Sequence, residues 1–164
     1  SNRESSIFCT LTQKFQAMVK SYQGVRKEEE KDYTPALVKD YMTKQLITFS
    51  PKQTVNEVVD VLVYRNISGG PVVNEDGQLI GIISEGDCLK EIMRGHYNND
   101  LTMSALVEEV MVKSVITVAA NDTVWDVASK FLEMKLRRFP VLNDDKLVGQ
   151  ISQRDIMKAV EELN

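Results

Sequence analysis

An internal repeat constrains the fold of this 164-residue chain more than any other feature. The segment 38–42 recurs as 107–111, 69 residues later. Further along, the segment 81–87 recurs 68 residues later as 149–155, so the second copy is one residue shorter between these landmarks. Because order and spacing are kept over this length, the pattern indicates that one structural unit has been duplicated.

The first helix expected in each copy begins at a threonine. Thr54 is followed three residues later by Glu57, the pattern of an N-terminal capping box, and Thr123 with Asp126 repeats this start. Apolar residues follow at helical spacing and predict one buried face in each helix. Those faces are Val55, Val58, Val59, Leu62 and Val63 in the first copy and Val124, Val127, Ala128, Phe131 and Leu132 in the second.

Two short β-rich runs follow this helix. In the first copy they are 70–74 and 79–84, and the turn-forming residues 75–77 between them predict a hairpin. A second helix is expected from Ser84 to about Arg94, with its counterpart beginning at Ser152. With a first strand ahead of the first helix, each copy reads β-α-β-β-α. The predicted fold class is therefore α/β (α+β), with two tandem copies.

Segments outside the repeat complete the division of the chain. An amphipathic helix is expected near the N-terminus, where its apolar stripe either completes the core or pairs with another chain. That stripe is Phe8, Leu11, Phe15, Met18, Val19 and Tyr22, and the charge run 26–32 follows it. A polar stretch, 95–100, joins the copies before a helical pattern resumes over 102–111. The expected segments are 1–33 (helix and charged linker), 34–94 (first copy), 95–106 (linker) and 107–164 (second copy).

Composition narrows the possible functions. A net charge of −4 disfavours nucleic acid as a partner. Cys9 and Cys88 form no metal-ligand or disulfide pattern, and His96 is the only histidine, so we expect no metal site and no histidine-based catalysis. No apolar run reaches the length of a membrane span, and a cytoplasmic protein is expected.

The strongest candidate chemistry lies where the last strand of each copy meets its last helix. Ser84 and Asp87 occur there in the first copy, and Ser152 and Asp155 occur in the second. One interpretation is purely structural, because a serine at the N-cap with an acid three residues later caps a helix. The other is a ligand site, because a helix N-terminus and a hydroxyl attract phosphate, and a carboxylate accepts hydrogen bonds from ribose.

The landmarks of each copy resemble those of a CBS domain. They are an I-T pair, a T-V-x-[ED]-V helix start, a P-V pair and the motif G-x-I-S-x-x-D. Two copies in tandem, over about residues 38–162, resemble a Bateman module. The resemblance implies two CBS domains packed about a pseudo-twofold axis, binding an adenosine-containing ligand such as AMP, ADP or ATP. It also implies assembly into a homodimer through the helices.

The resemblance also assigns roles to residues. It implies that Asp87 and Asp155 hold ribose hydroxyls and that Ser84 and Ser152 lie near phosphates. The residues that would enclose the base are Ile47, Thr48, Gly70 and Pro71 in the first copy and Ile116, Thr117, Val118 and Pro140 in the second.

The two copies differ in charge around this motif. The second copy carries Arg137, Arg138 and Arg154, with Phe139 as an expected aromatic wall. The equivalent positions of the first copy are Ser68, Gly69, Gly86 and Gly70. Because guanidinium groups bind phosphate well, the sequence predicts that the Asp155 site is the better nucleotide site. The alternative for Arg137 and Arg138 is a solvated helix end that complements the helix dipole.

The leading functional hypothesis is a regulatory sensor without catalytic residues or a required cofactor, in which a nucleotide biases contact with an effector protein that the sequence does not identify. A structural dimerisation module with vestigial pockets is the alternative. An enzyme related to inosine monophosphate dehydrogenase is disfavoured, because a TIM barrel needs roughly 250 further residues. Trp125 lies just off the core face of its helix, where it either contacts a second copy in a dimer or packs within its own chain.

Overall fold

A computed structural model describes residues 35–164, and the expected N-terminal helix and charge run lie outside the described residues. The described part contains six helices and five strands. In chain order they are α1 (Val38–Tyr41), α2 (Val55–Arg65), β1 (Gly69–Val73), β2 (Leu79–Ser84), α3 (Glu85–Tyr97), α4 (Val107–Val110), β3 (Val118–Ala119), α5 (Val124–Met134), β4 (Arg138–Asn143), β5 (Lys146–Ser152) and α6 (Gln153–Leu163).

The strands form one small sheet in each copy. Strands β1 and β2 pair antiparallel, as the predicted hairpin requires, and β4 pairs antiparallel with β5. Strand β3 adds to β4 in parallel. In the first copy the equivalent parallel pairing is reduced to one bridge between Phe49 and Val72. The mixed α and β fold is therefore confirmed, but the expected first strand of the first copy is a single paired residue.

Helices α2 and α5 begin as predicted. The Thr54 hydroxyl accepts from the Glu57 N–H at 3.2 Å, and Thr123 accepts from the Asp126 N–H at 3.1 Å. The predicted buried faces extend one residue too far in each helix, because Val63 is 76% exposed and its counterpart Leu132 is 82% exposed. Both side chains lie outside the core of their own copy.

Helix α3 is longer than predicted and α4 is shorter. Helix α3 continues past Arg94 to Tyr97, so the start of the expected linker is helical. Gly95 permits this, because a Cβ at this position would collide with the Asp100 carbonyl oxygen. The expected helix over 102–111 is reduced to Val107–Val110, and Met103 adopts a left-handed backbone conformation with φ 50°.

The two copies exchange their first segments. Val38 of α1 is fully buried in the core of the second copy, and Val107 of α4 is fully buried in the core of the first. Thr43 pairs with Gln150 through backbone bonds of 2.9 and 3.0 Å. In the symmetric pairing, residue 112 of the second copy bonds to residue 82 of the first copy. Each copy therefore needs the other to complete its core, and a cleft lies between them.

Candidate functional site

The cleft between the copies contains a cavity of about 400 Å³, which we call the first cavity. Its lining comes from both copies. From the first copy come Ser68, Gly69, Gly70, Pro71, Ile82, Ile83, Ser84 and Asp87; from the second come Val112, Ser114, Val115, Ile116, Leu136, Arg137, Arg138, Pro140 and Gln150. The walls are mainly apolar, while a carboxylate and two guanidinium groups supply its charges.

Ser84 and Asp87 are fixed by the helix cap that starts α3. The Asp87 Oδ2 atom accepts from the Ser84 N–H and from the Ser84 hydroxyl, each at 2.9 Å. The Ser84 Oγ in turn accepts from the Asp87 N–H at 3.3 Å. Within residues 35–164 no hydrogen bond reaches the other oxygen, Oδ1. The cap therefore orients the carboxylate while leaving one oxygen for a ligand.

The same cap recurs at Ser152 and Asp155, where the three distances are 2.8, 3.0 and 3.2 Å. The structural interpretation of the motif therefore holds in both copies. What distinguishes the copies is the surroundings, since Ser84 and Asp87 line the first cavity and the other pair does not.

Arg137 and Arg138 line the first cavity, opposite the residues of the first copy. From the sequence alone, these arginines were expected at the site of Ser152 and Asp155, which belong to the same copy. The Arg137 backbone does lie beside α6, where its carbonyl accepts from the Gln153 N–H at 3.3 Å. Asp87 of the first copy and these two arginines of the second copy therefore line one cavity, so the motif of one copy faces the basic residues of the other.

A second cavity, of about 160 Å³, adjoins the first. It is lined by Thr43, Gln45, Leu46, Ile47, Ile67, Gly69, Gly70, Pro71, Arg138 and Gln150. Most of these positions are the repeat equivalents of first-cavity residues. Neither Ser152 nor Asp155 lines it, and five of its residues, Arg138 among them, also line the first cavity.

Phe139 does not form the expected aromatic wall. It is fully buried, and its ring stacks on Phe131 with centroids 4.4 Å apart. The first copy fills the equivalent space with Phe49, because a Cβ on Gly70 would lie 3.0 Å from the Phe49 ring. By the repeat, Phe49 corresponds to Val118 and Gly70 corresponds to Phe139, so the aromatic ring of this part of the core comes from a different position in each copy.

Several other predicted residues line neither cavity: Thr48, Thr117, Val118, Ser152, Arg154 and Asp155. The first cavity is also lined by four residues that were not predicted from the sequence: Ser114, Val115, Leu136 and Gln150. One signal was available, because Gln150 replaces the apolar Ile82 at the same position of the repeat. A polar residue inside an otherwise apolar strand marks a special environment.

Other ionisable groups near the cavity do not suggest a nucleophile or a metal. Burial, with the neighbouring Asp87 carboxylate, raises the pKa of the Cys88 thiol, so the thiolate is disfavoured. Across residues 35–164 no three His, Cys, Asp or Glu side chains cluster as metal ligands do. His96 lies in the last turn of α3 beside Tyr97.

An apolar groove of about 790 Å³ lies between α2 and α3, on the outside of the first copy. It is lined by Val59, Leu62, Val63, Asn66, Ile67, Glu85, Gly86, Cys88, Leu89 and Ile92. Val63 and Leu89 are more than half exposed within it. Their repeat equivalents, Leu132 and Met157, are also exposed, at 82% and 63%.

Comparison with known families agrees with this architecture. The CBS domain matches twice, over residues 38–94 and 107–162. The chain belongs to the CBS-domain family. The two matched stretches coincide with the two copies of the repeat, so the duplicated unit is one CBS domain and the chain carries a CBS pair.

Solved CBS pairs share this fold. CBSX2 from Arabidopsis thaliana, in its complex with AMP, is 26% identical with a TM-score of 0.67, and the match covers 78% of this chain and 98% of CBSX2. The CBS pair of MJ0100, in complex with 5′-methylthioadenosine and S-adenosyl-L-methionine, is 30% identical with a TM-score of 0.63 and coverages of 79% and 99%. Structural relatives of this CBS pair therefore bind adenosine derivatives.

The sequence relatives vary in length. The uncharacterised protein MJ1225 of Methanocaldococcus jannaschii is 25% identical over 84% of this chain, but the chain spans only 48% of MJ1225. MJ1426 of the same organism is 30% identical over 76% of this chain and 90% of its own length.

Among the helices of residues 35–164, none combines the length and apolarity that a bilayer crossing requires.

Proposed function

We propose that this CBS pair is a regulatory module that binds an adenine nucleotide of the AMP, ADP or ATP type in the first cavity. One observation carries the proposal: the first cavity brings Ser84 and Asp87 of one CBS domain together with Arg137 and Arg138 of the other. These are the groups that ribose and phosphate require, and they meet only when both domains are folded together.

The size and walls of the first cavity suit a nucleotide. A volume of about 400 Å³ falls within the range of small-molecule sites, which is roughly 300–1,000 Å³. Apolar side chains such as Ile82, Val115 and Ile116 offer surfaces for the base. The Oδ1 atom of Asp87 accepts from ribose hydroxyls, and the two guanidinium groups donate to phosphate oxygens.

The location of the cavity supports a regulatory role. A ligand that touches both domains stabilises the arrangement in which they are packed together, and so shifts the population toward it. The same ligand orders the two exposed arginines and alters the surface presented to an effector protein. No cofactor is required for this role.

Thermal unfolding with and without nucleotide tests the proposal. At a concentration of ~100 times the dissociation constant, a nucleotide adds roughly 2.7 kcal/mol of stability. We expect Asp87→Asn to abolish this gain and Asp155→Asn to retain it. The second variant is a matched control, because both aspartates make the same helix cap and each substitution weakens that cap alike.

Two results would contradict the proposal. One is the absence of a stability gain with AMP, ADP and ATP in the unmodified chain. The other is a gain that survives in Asp87→Asn, since the nucleotide would then bind elsewhere.

The helical surface supports a second proposal, that the chain forms a homodimer. On the helices, two apolar positions of the repeat are exposed in both domains: Val63 with Leu132, and Leu89 with Met157. Trp125 is 46% exposed and lies seven residues before Leu132 on α5, on the same side of the helix. Apolar surface of this kind marks contact sites, and a twofold dimer would cover both domains at once. The alternative function, a structural dimerisation module, would use the same dimer surface.

We infer that the CBS pair itself has no catalytic activity. The chain spans 98% of the crystallised CBSX2 chain, whereas it spans only 22–25% of matched enzymes such as L-aspartate semialdehyde sulfurtransferase and inosine-5′-monophosphate dehydrogenase. Most of each enzyme thus lies outside the matched CBS pair. Turnover of a nucleotide by the purified chain would contradict this inference. A cytoplasmic location stays a prediction from the sparse cysteines; one relative, CBSX1 of Arabidopsis thaliana, is chloroplastic.

A further inference from the structure

We infer that the cleft takes one nucleotide per chain, in the first cavity, and that it selects phosphate-bearing adenosine ligands over neutral or cationic ones. The inference rests on the proposed function and extends it to stoichiometry and ligand charge.

The charge of the first cavity favours an anion. Arg137 and Arg138 are its only basic residues and Asp87 is its only acidic residue, so the lining carries a formal charge of +1. One Asp87 oxygen is already occupied by the helix cap at 2.9 Å. A phosphate gains charge-assisted hydrogen bonds from the guanidinium groups. A neutral thioether such as 5′-methylthioadenosine gains none. S-adenosyl-L-methionine offers the guanidinium groups one carboxylate, but its ammonium and sulfonium groups are disfavoured by the net positive charge of the lining.

The second cavity lacks the means to hold a second nucleotide. Its volume of about 160 Å³ lies below the range of roughly 300–1,000 Å³ typical of ligand sites. Arg138 is the only charged residue in its lining, and Arg138 also lines the first cavity. A phosphate bound in the first cavity therefore engages the one cation that both cavities share.

The backbone conformation at Gly69 explains why only the second domain carries an arginine pair. By the repeat, Ser68 and Gly69 occupy the positions of Arg137 and Arg138. Gly69 has a φ of 155°, and a Cβ there would lie 2.5 Å from the Ile83 carbonyl oxygen. No arginine fits at position 69 without moving β2. The second domain supplies an arginine pair to the cavity at Asp87, but the first domain cannot supply an equivalent pair to the site at Asp155.

Isothermal titration of the full chain with AMP, adenosine, 5′-methylthioadenosine and S-adenosyl-L-methionine tests the inference. We expect one AMP per chain and an affinity for AMP well above that for the other three. The double variant R137Q/R138Q should weaken AMP binding by roughly tenfold or more and leave adenosine binding unchanged. Arg154→Gln is the control, because this exposed arginine of the second domain lines neither cavity and its substitution removes one positive charge, where the double variant removes two.

Some outcomes would overturn only the inference on stoichiometry and ligand charge, and another would overturn the proposed function as well. Two AMP molecules per chain, equal affinities for AMP and S-adenosyl-L-methionine, or an Arg154→Gln defect as large as that of the double variant would overturn the inference while adenosine-ligand binding stands. Absence of binding for all four compounds would overturn the proposed function as well.

Discussion

Two glycines of helix α3 differ in the space that is available for a side chain. Gly86 is exposed, and the nearest atom to a Cβ there is the Ser84 Oγ at 3.6 Å. Gly95 is buried, and a Cβ there would collide with the Asp100 backbone. We expect Gly86→Ala to stabilise the fold by up to about 1 kcal/mol, and Gly95→Ala to destabilise it by about 1–3 kcal/mol. Chemical denaturation measures both, and equal effects from the two substitutions would contradict this account.

The buried carboxylate of Glu91, in α3, makes the stability of the fold depend on pH. Glu91 is 7% exposed, and its Oε2 accepts from the Arg94 Nε at 2.9 Å. This hydrogen bond lowers the pKa of Glu91, against an opposing effect of burial. Because the folded pKa lies below the unfolded one, the stabilisation is complete above the unfolded pKa of about 4.3 and is lost as pH falls through the folded pKa.

Glu91→Gln should therefore be less stable than the unmodified chain at pH 7, and the difference should shrink in strongly acidic buffer. Unfolding free energies at the two pH values check this. Glu133→Gln, at an exposed carboxylate of α5, is the control with the same charge change. A deficit that stays constant with pH would show that packing, and not the ion pair, explains the effect.

At the scale of secondary-structure elements, the sequence predicted which helices and strands form but not which core each one completes. The capping threonines, the hairpin turn and the repeat are local signals, and local signals define helices and strands. The burial of Val38 and Val107 in opposite domains depends on contacts between distant residues, which no spacing reveals. The packing of the two domains, which places Arg137 and Asp87 in one cavity, is also a contact between distant residues, so the composition of the candidate site was not predictable from the sequence.

Fragments of equal length test the exchange of segments. Residues 44–113 contain the whole buried core of the first domain, including Val107, whereas residues 36–105 lack Val107 and replace it with Val38 of the other core. We expect 44–113 to retain more helical circular dichroism and to unfold more cooperatively than 36–105. Similar stability of the two fragments, or greater stability of 36–105, would show that α4 is dispensable to the first domain.

At the scale of the whole molecule, the exposed apolar residues predict self-association. The double variant V63K/L132K places charge at both repeat-related positions and should convert a dimer into a monomer. Tyr64→Lys is the control, because Tyr64 is 86% exposed on the same helix and does not line the groove. Sedimentation velocity across micromolar concentrations distinguishes the two states. A monomeric unmodified chain, or a dimer that persists in the double variant, would refute the proposed interface.

The central claim is that a nucleotide binds between the two CBS domains, at the motif of the first and the arginines of the second. A crystal structure of the chain grown with AMP tests it most directly. The account predicts one AMP per chain, with its ribose at Asp87 and its phosphate at Arg137 and Arg138. Density for AMP at Ser152 and Asp155 instead, or an empty first cavity at saturating AMP, would contradict it.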